Sequence, residues 1–201
     1  MRYALHEIFA TLQGEGRNTG RPCVFVRFAG CNLACPWCDT DFSAKLPMTL
    51  PEICSAIAQF APKSVIFTGG EPLLQPGLEA LARALKAEGY WLGIETNGTL
   101  EPSPALREVL DYIATSPKME APLVITRAHE VRLVTAAGAS AEWCRAVRAA
   151  VMAEDYYLSP CDCQGALQVG PAITLLGELN ASAPSPPWRL SLQTHKLAGI
   201  P

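Results

Sequence analysis

Seven short apolar runs, separated by helical patterns, constrain the fold of this chain more than any other feature. They are residues 23–28, 64–68, 91–95, 112–115, 131–134, 156–158 and 189–192. Each has strand length, and each is nearly continuous in apolar character, as expected of strands covered on both faces. Between them lie helical signatures. Thr49-Leu50-Pro51-Glu52 has capping-box spacing with proline in the first turn, and Ile53, Ile57 and Phe60 continue it as a stripe. Leu78, Leu81, Ala82 and Leu85 mark a second helix, which Gly89 ends, and residues 141–151 a third. Strands alternating with helices predict parallel βα units. The expected class is α/β, a partial (β/α)6 barrel with a mostly parallel sheet, and residues 1–201 form a single domain. In such folds ligands bind beyond the carboxyl ends of the strands. Here those ends are polar or glycine-rich: Gly30-Cys31, Thr68-Gly69-Gly70-Glu71, Glu95-Thr96-Asn97-Gly98, Ser116-Pro117-Lys118 and Gln193-Thr194-His195-Lys196.

Eight cysteines in 201 residues raise the question of disulfides, which need an exported chain. Residues 1–12 include Arg2, His6 and Glu7 and lack the apolar run of a signal peptide. No stretch approaches the roughly 18 apolar residues of a membrane span. The expected location is the reducing cytoplasm, with no membrane partner, where clustered cysteines are metal or redox groups. A net charge of −3 gives no basic footprint for nucleic acid.

Cys31-x-x-x-Cys35-x-x-Cys38 places three thiolates within eight residues, just after the first strand. Three thiolates hold three irons of a 4Fe–4S cubane and leave the fourth iron open. The spacing resembles that of radical S-adenosylmethionine enzymes. In that superfamily the open iron takes the amino and carboxylate groups of S-adenosylmethionine, and an electron from the cluster cleaves it to a 5′-deoxyadenosyl radical. Gly69-Gly70-Glu71-Pro72 matches the segment that supports the methionine end of the cofactor there. The competing reading is a zinc site completed by His6, His129 or His195. Cys23 and Cys54 read as core. A second cluster from Cys144, Cys161 and Cys163 matches no ligand pattern.

More specific segments surround the cysteines: Glu7-Ile8-Phe9, Thr11-Leu12-Gln13-Gly14-Glu15-Gly16, Gly20-x-Pro22, Phe25-Val26-Arg27 and Cys38-Asp39-Thr40. With the strand-end motifs they resemble the 7-carboxy-7-deazaguanine synthase family across nearly the whole chain. The resemblance implies conversion of 6-carboxy-5,6,7,8-tetrahydropterin to 7-carboxy-7-deazaguanine with loss of ammonia, for queuosine or another deazapurine. It implies that Leu12, Gln13, Gly14, Glu15, Arg27, Thr68, His195 and Pro201 meet the substrate, with Arg27 on its carboxylate. It implies that Trp37, Cys38, Asp39, Gly70, Glu71, Ser116, Pro117, Lys118, Ser159, Pro160, Cys161 and Asp162 meet S-adenosylmethionine. Cys31, Cys35 and Cys38 would hold the cluster, and Thr40 would ligate magnesium in place of the commoner role of a threonine as a helix cap. The segment Ser159-Pro160-Cys161-Asp162 departs from the Gln-Pro type expected there, which bears on the adenine contacts. A homodimer and a flavodoxin-type electron donor complete the family expectation. Two rivals stand beside it: an activase that installs a radical on a glycine of another protein, and a non-enzymatic zinc scaffold.

Overall fold

The computed structural model describes residues 1–41, 46–136, 138–163 and 165–201, with the backbone only at Cys163. In chain order the elements are β1 (Tyr3–Leu12), β2 (Pro22–Phe28), β3 (Leu46–Met48), α1 (Leu50–Ala58), β4 (Ser64–Gly69), α2 (Leu78–Ala87) and β5 (Trp91–Thr96). They continue with α3 (Pro104–Val109), β6 (Tyr112–Thr115), β7 (Glu130–Thr135), α4 (Ala141–Ala150) and β8 (Asp155–Pro160). The last are β9 (Asp162–Cys163), β10 (Ala166–Leu167), α5 (Val169–Asn180), β11 (Trp188–Leu190) and α6 (Thr194–Ala198).

A nine-stranded sheet runs in the order β11-β8-β7-β6-β5-β4-β2-β1-β3, and β9 and β10 form a separate hairpin. From β2 to β11 every neighbouring pair is parallel. The sheet is not closed, so the expected partial barrel is correct, and its parallel part has seven strands. Two elements extend the edge beyond expectation: β1 lies antiparallel to β2, and β3 antiparallel to β1. The helices α3, α5 and α6 also go beyond the sequence reading, and the last strand is Trp188–Leu190 where residues 189–192 were expected. At α1 the capping signal holds: the Glu52 carboxylate accepts from the Thr49 backbone N–H at 2.6 Å and its hydroxyl at 2.8 Å.

The expectation that both strand faces are apolar needs correction. One face packs against the helices: Val24, Val26 and Phe28, Val65 and Phe67, Leu92 and Ile94, Val131 and Leu133 join Ile53, Ile57, Leu81, Leu85 and Val147 in one core. Because strand side chains alternate, the residues between them face the other way. These include Arg27, Thr68, Glu95, Glu130 and Arg132. Among the described residues a second, small apolar group of Cys23, Phe25 and Ile66, with Phe9 and Trp91, lies apart from the main core. The second face is therefore a polar concavity, which is what positions the site.

The β1–β2 connection lies across the amino ends of the central strands. Its Gly16 N–H donates to Ser191 Oγ at 2.8 Å, and the Arg17 N–H donates to Glu130 Oε2 at 2.8 Å. The Arg17 guanidinium pairs with Glu154 at 2.7 Å and also with Asp155. Arg21 stacks on the Trp91 ring, 4.1 Å from its centroid. Gly16 has φ +65°, and a Cβ there would meet the Glu130 carboxylate at 2.1 Å. A glycine is what allows the connection to sit this close to β7.

Candidate active site

Two cavities open at the carboxyl ends of the strands. The first, about 350 Å³, is lined by Leu12 at the end of β1, by Gln13, Gly14 and Glu15 from the β1–β2 connection, and by Arg27 and Thr68 from β2 and β4. His195 and Pro201 from the end of the chain complete it, so all eight expected substrate residues converge there. The second, about 280 Å³, is lined by Cys31, Cys35 and Cys38 together with Trp37, Gly70, Ser116, Lys118 and Ser159. Glu15, Asp39, Thr40, Thr68, Glu95 and Gln193 line both, so the two cavities share a seam.

The first cavity is furnished with charge. The Arg27 Nε–H donates to Glu7 Oε1 at 2.8 Å, and its guanidinium lies 5.4 Å from the Phe9 ring centroid. That pair answers the need of a charged side chain in an apolar strand for a partner. The terminal nitrogens of Arg27 make no hydrogen bond to a described residue. Gln13 is buried and engaged at both ends: its Oε1 accepts from the Glu15 N–H and its Nε2 donates to Glu95 Oε1, each at 3.1 Å. It braces the site rather than facing it freely. Gly14 lies under His195, since a Cβ there would come 2.1 Å from His195 Nδ1. Burial and the neighbouring Lys196 charge both lower the His195 pKa.

At the seam, Arg132 of β7 reaches Glu15 at 3.0 Å, Glu95 at 2.7 Å and Glu130 at 3.5 Å. Three carboxylates around one guanidinium leave excess negative charge. Burial and then the other carboxylates raise the Glu15 pKa above the ordinary value, against the pull of Arg132. For Glu95 burial also works upward, but Arg132, Thr68 and Gln13 outweigh it and hold the carboxyl low. Arg132 was not singled out in the sequence, and Glu95 was named only as the start of the strand-end segment Glu95-Thr96-Asn97-Gly98, with no role of its own. Arg132 carried the signal used for Arg27, a lone charge in an apolar strand.

In the second cavity Lys118 Nζ donates to Ser116 Oγ at 2.8 Å and lies 4.9 Å from the Trp37 ring centroid. Burial lowers its pKa. Burial also raises the Cys35 thiol, and the charges of Cys38 and Cys31 act in the same direction. No three His, Cys, Asp or Glu side chains among the described residues are drawn together tightly enough to enclose a metal ion. The three thiols nonetheless border one cavity, and soft thiolates at this spacing are the donor set for iron–sulfur clusters. Thr40 caps no described helix, and its hydroxyl makes no hydrogen bond to a described residue.

Other expected cofactor residues lie around the second cavity. The Glu71 side chain is fully buried, accepting from Thr96 Oγ1 at 2.9 Å, the Asn97 N–H at 2.7 Å and the Leu73 N–H at 3.0 Å. Its carboxylate thus ties the end of β4 to the end of β5. Pro117 lines an adjoining apolar cavity of about 340 Å³ with Trp37 and Trp143. Ser159, Pro160, Cys161 and Asp162 meet Trp37 and Asp39 around a small void of about 50 Å³. Cys144 is buried in α4, whereas the Cys163 side chain lies outside the described residues, so the second-cluster reading gains no geometry. His129 sits at the opposite strand ends, where its Nδ1 accepts from the Ile113 N–H at 2.9 Å.

Helix α6 fastens the site together. Lys196 Nζ donates to Asp39 at 2.6 Å and to Asp162 at 2.8 Å, while Gln193 donates to Asp39 at 3.3 Å. The Thr194 N–H and hydroxyl both donate to the Gly14 carbonyl at 2.9 Å. Thr11 Oγ1 donates to the Pro201 oxygen at 3.0 Å. Against burial, the two carboxylates raise the Lys196 pKa, and its contact likewise overcomes burial to lower that of Asp39.

Comparison with known proteins is consistent over the full chain. Residues 25–150 match the model of the radical SAM superfamily. A 7-carboxy-7-deazaguanine synthase of Haemophilus influenzae is 46% identical over 199 residues, 96% of this chain and 92% of that protein. One from Neisseria meningitidis serogroup B is 46% identical over 205 residues, 99% and 94% of the two chains. The crystal structure of QueE from Escherichia coli superposes with a TM-score of 0.76, covering 96% of this chain and 94% of that one. At 24% identity that likeness speaks to the fold.

Proposed function

This chain belongs to the radical S-adenosylmethionine superfamily and, within it, to the 7-carboxy-7-deazaguanine synthase family, and from that premise we propose which residues carry the reaction. It is an enzyme of deazapurine and queuosine biosynthesis that uses a 4Fe–4S cluster and S-adenosylmethionine. The activase and zinc-scaffold readings fall away with membership of the family. The substrate is 6-carboxy-5,6,7,8-tetrahydropterin, and the product is 7-carboxy-7-deazaguanine, formed by ring contraction with loss of ammonia.

One observation carries the assignment of residues. The cavity bordered by the three cysteines and the cavity bordered by Arg27 and Glu15 share a wall. Cys31, Cys35 and Cys38 hold the cluster, and Ser116, Lys118, Ser159 and the Gly70 backbone surround the cofactor. The chemistry supplied by cluster and cofactor when bound is one-electron cleavage of a carbon–sulfur bond. The chain's own groups bind and orient the pterin against that centre and exclude water. Glu15 accepts from the pterin N–H edge, Arg27 pairs with its carboxylate, and Thr68 and His195 bound the ring. Glu71 acts through the backbone it fixes.

The test is anaerobic turnover of reconstituted enzyme with the pterin, S-adenosylmethionine and reductant, with products identified by mass. A product lighter than the pterin by ammonia supports the reading; cofactor cleavage without conversion of the pterin overturns it. In the same assay Arg27→Ala should raise KM for the carboxylated pterin about ten- to a hundredfold, the equivalent of about 1.5–3 kcal/mol for a lost charge-assisted pair. Affinity for S-adenosylmethionine should stay unchanged. An unaltered KM would assign the carboxylate to another residue.

Thr40 would supply one oxygen to magnesium, a metal that usually takes its remaining ligands from substrate and water and would polarise the substrate there. Adding magnesium to metal-stripped enzyme should raise the rate, and Thr40→Val should blunt that response with cluster absorbance intact. Magnesium should bind more tightly with the pterin present than without it. A normal response in Thr40→Val removes the residue from the site.

We read residues 1–201 as one domain, supported by the single main sheet that runs from Tyr3 to Leu190. No described helix is long and apolar enough to cross a membrane. A reducing cytoplasmic setting suits the clustered thiols. A homodimer and a flavodoxin-type donor are proposed on the family expectation.

A further inference from the structure

Arg132 lies on β7, its side chain only 7% exposed, below the seam of the two cavities. Its guanidinium faces three carboxylates: Nη2 donates to Glu95 Oε1 at 2.7 Å, and Nη1 lies 3.0 Å from Glu15 Oε2 and 3.5 Å from Glu130 Oε1. The remaining bonds of this cluster are internal. Glu95 also accepts from Thr68 Oγ1 at 2.9 Å and from Gln13 Nε2 at 3.1 Å. The Glu15 backbone is pinned by Gln13 Oε1. The Glu15 carboxylate is held by Arg132 as an ion pair and makes no hydrogen bond to a described residue, and Glu15 lines both cavities. Glu15 is reached from the β1–β2 connection and Glu95 from β5, so no local backbone geometry fixes one relative to the other. A planar guanidinium between them does.

We propose that Arg132 is a positioning residue of the substrate site, which holds Glu15 and Glu95 as a fixed pair of acceptors and so selects a pterin with adjacent N–H donors. This rests on reading the first cavity as the pterin site. The ring N3–H and the exocyclic 2-amino group of a pterin are two neighbouring donors. Replacing the amino group by oxygen, as in a lumazine, puts a carbonyl against a carboxylate. A buried acceptor facing an acceptor is the mismatch that polar sites reject most strongly. Without Arg132 the two carboxylates repel each other and swing apart, and the preference for donors weakens.

The experiment uses reconstituted enzyme carrying Arg132→Met or Arg132→Lys. It measures KM and kcat for 6-carboxytetrahydropterin, competition by the corresponding 2-oxo lumazine, cluster absorbance and affinity for S-adenosylmethionine. Arg132→Met should raise KM for the pterin at least about tenfold and leave lumazine affinity within about twofold. Discrimination between the two rings then falls, while cluster content and S-adenosylmethionine affinity hold. Lysine keeps the charge but not the fork, so Arg132→Lys should recover part of the discrimination. If Arg132→Met does not fold, the intermediate value of the lysine variant carries the test. Unchanged discrimination in the folded variants overturns the proposal. So does a parallel loss of pterin, lumazine and S-adenosylmethionine binding, which marks a general structural role. Failure of the unaltered enzyme to convert the pterin is a separate result and overturns the substrate reading itself.

Discussion

Cys35→Ala should abolish the 4Fe–4S absorption and paramagnetic signals of the reconstituted enzyme, together with all cleavage of S-adenosylmethionine. Cys31→Ala and Cys38→Ala should do the same. Three protein thiolates are the minimum that holds a cubane with one open iron, so no ligand is spare. The other cysteines provide the contrast. Cys23 is fully buried beside Phe25 and Ile66, and burial pushes its thiol up to about 12. Cys144, buried in α4, is likewise pushed up to about 12. Both pack among apolar side chains and neither lines the cavity bordered by Cys31, Cys35 and Cys38. Cys23→Ala and Cys144→Ala should therefore cost stability and leave iron content unchanged. Iron and sulfide analysis of all five variants, with thermal melts, separates the two classes. A Cys35→Ala enzyme with full iron content and turnover would sink the assignment.

The class of the fold was legible because residues 64–68, 91–95 and 112–115 are apolar runs with sharp polar ends. The two faces were not. In residues 64–68 the inward Ser64, Ile66 and Thr68 alternate with Val65 and Phe67, and a run this short hides the alternation. Strand β1 reads as polar and apolar by turns, with His6 and Glu7 in its middle, and its sheet partner is antiparallel, outside the βα rhythm. The site residues were legible where a motif carried them, as in Gln13-Gly14-Glu15 and Ser116-Pro117-Lys118. Arg132 belongs to no such motif, and Glu95, which opens the strand-end segment Glu95-Thr96-Asn97-Gly98, was given no role by it. Their role depends on three strands and a distant connection meeting. The same holds for Lys196, whose partners Asp39 and Asp162 lie far away in sequence. Reading such a residue needs the tertiary structure.

Gly70→Ala should cost most of the cluster and weaken S-adenosylmethionine binding by more than about tenfold, although the glycine ligates nothing. A Cβ at Gly70 would stand 1.9 Å from the Gly30 carbonyl oxygen and 2.4 Å from its carbon. Both are backbone atoms, so no side chain can turn aside. The Gly70 N–H donates to the Phe28 carbonyl at 3.1 Å and the Glu71 N–H to the Gly30 carbonyl at 3.0 Å. These bonds join the end of β4 to the end of β2, one residue before Cys31. To admit a methyl group the two backbones must separate by more than about 1 Å, which breaks both bonds and displaces Cys31. Glu71 would move as well, and with it the fully buried bonds to Thr96 and Asn97 that hold the end of β5. The control is Gly177→Ala in helix α5, where a Cβ meets nothing within 4 Å. That change should stabilise by about 0.5–1 kcal/mol, because alanine has less freedom to lose on folding. Iron content, S-adenosylmethionine titration and thermal melts of both variants decide the matter. Should Gly70→Ala bind iron and S-adenosylmethionine as the unaltered enzyme does, the close approach of β2 and β4 is not what sets the position of Cys31.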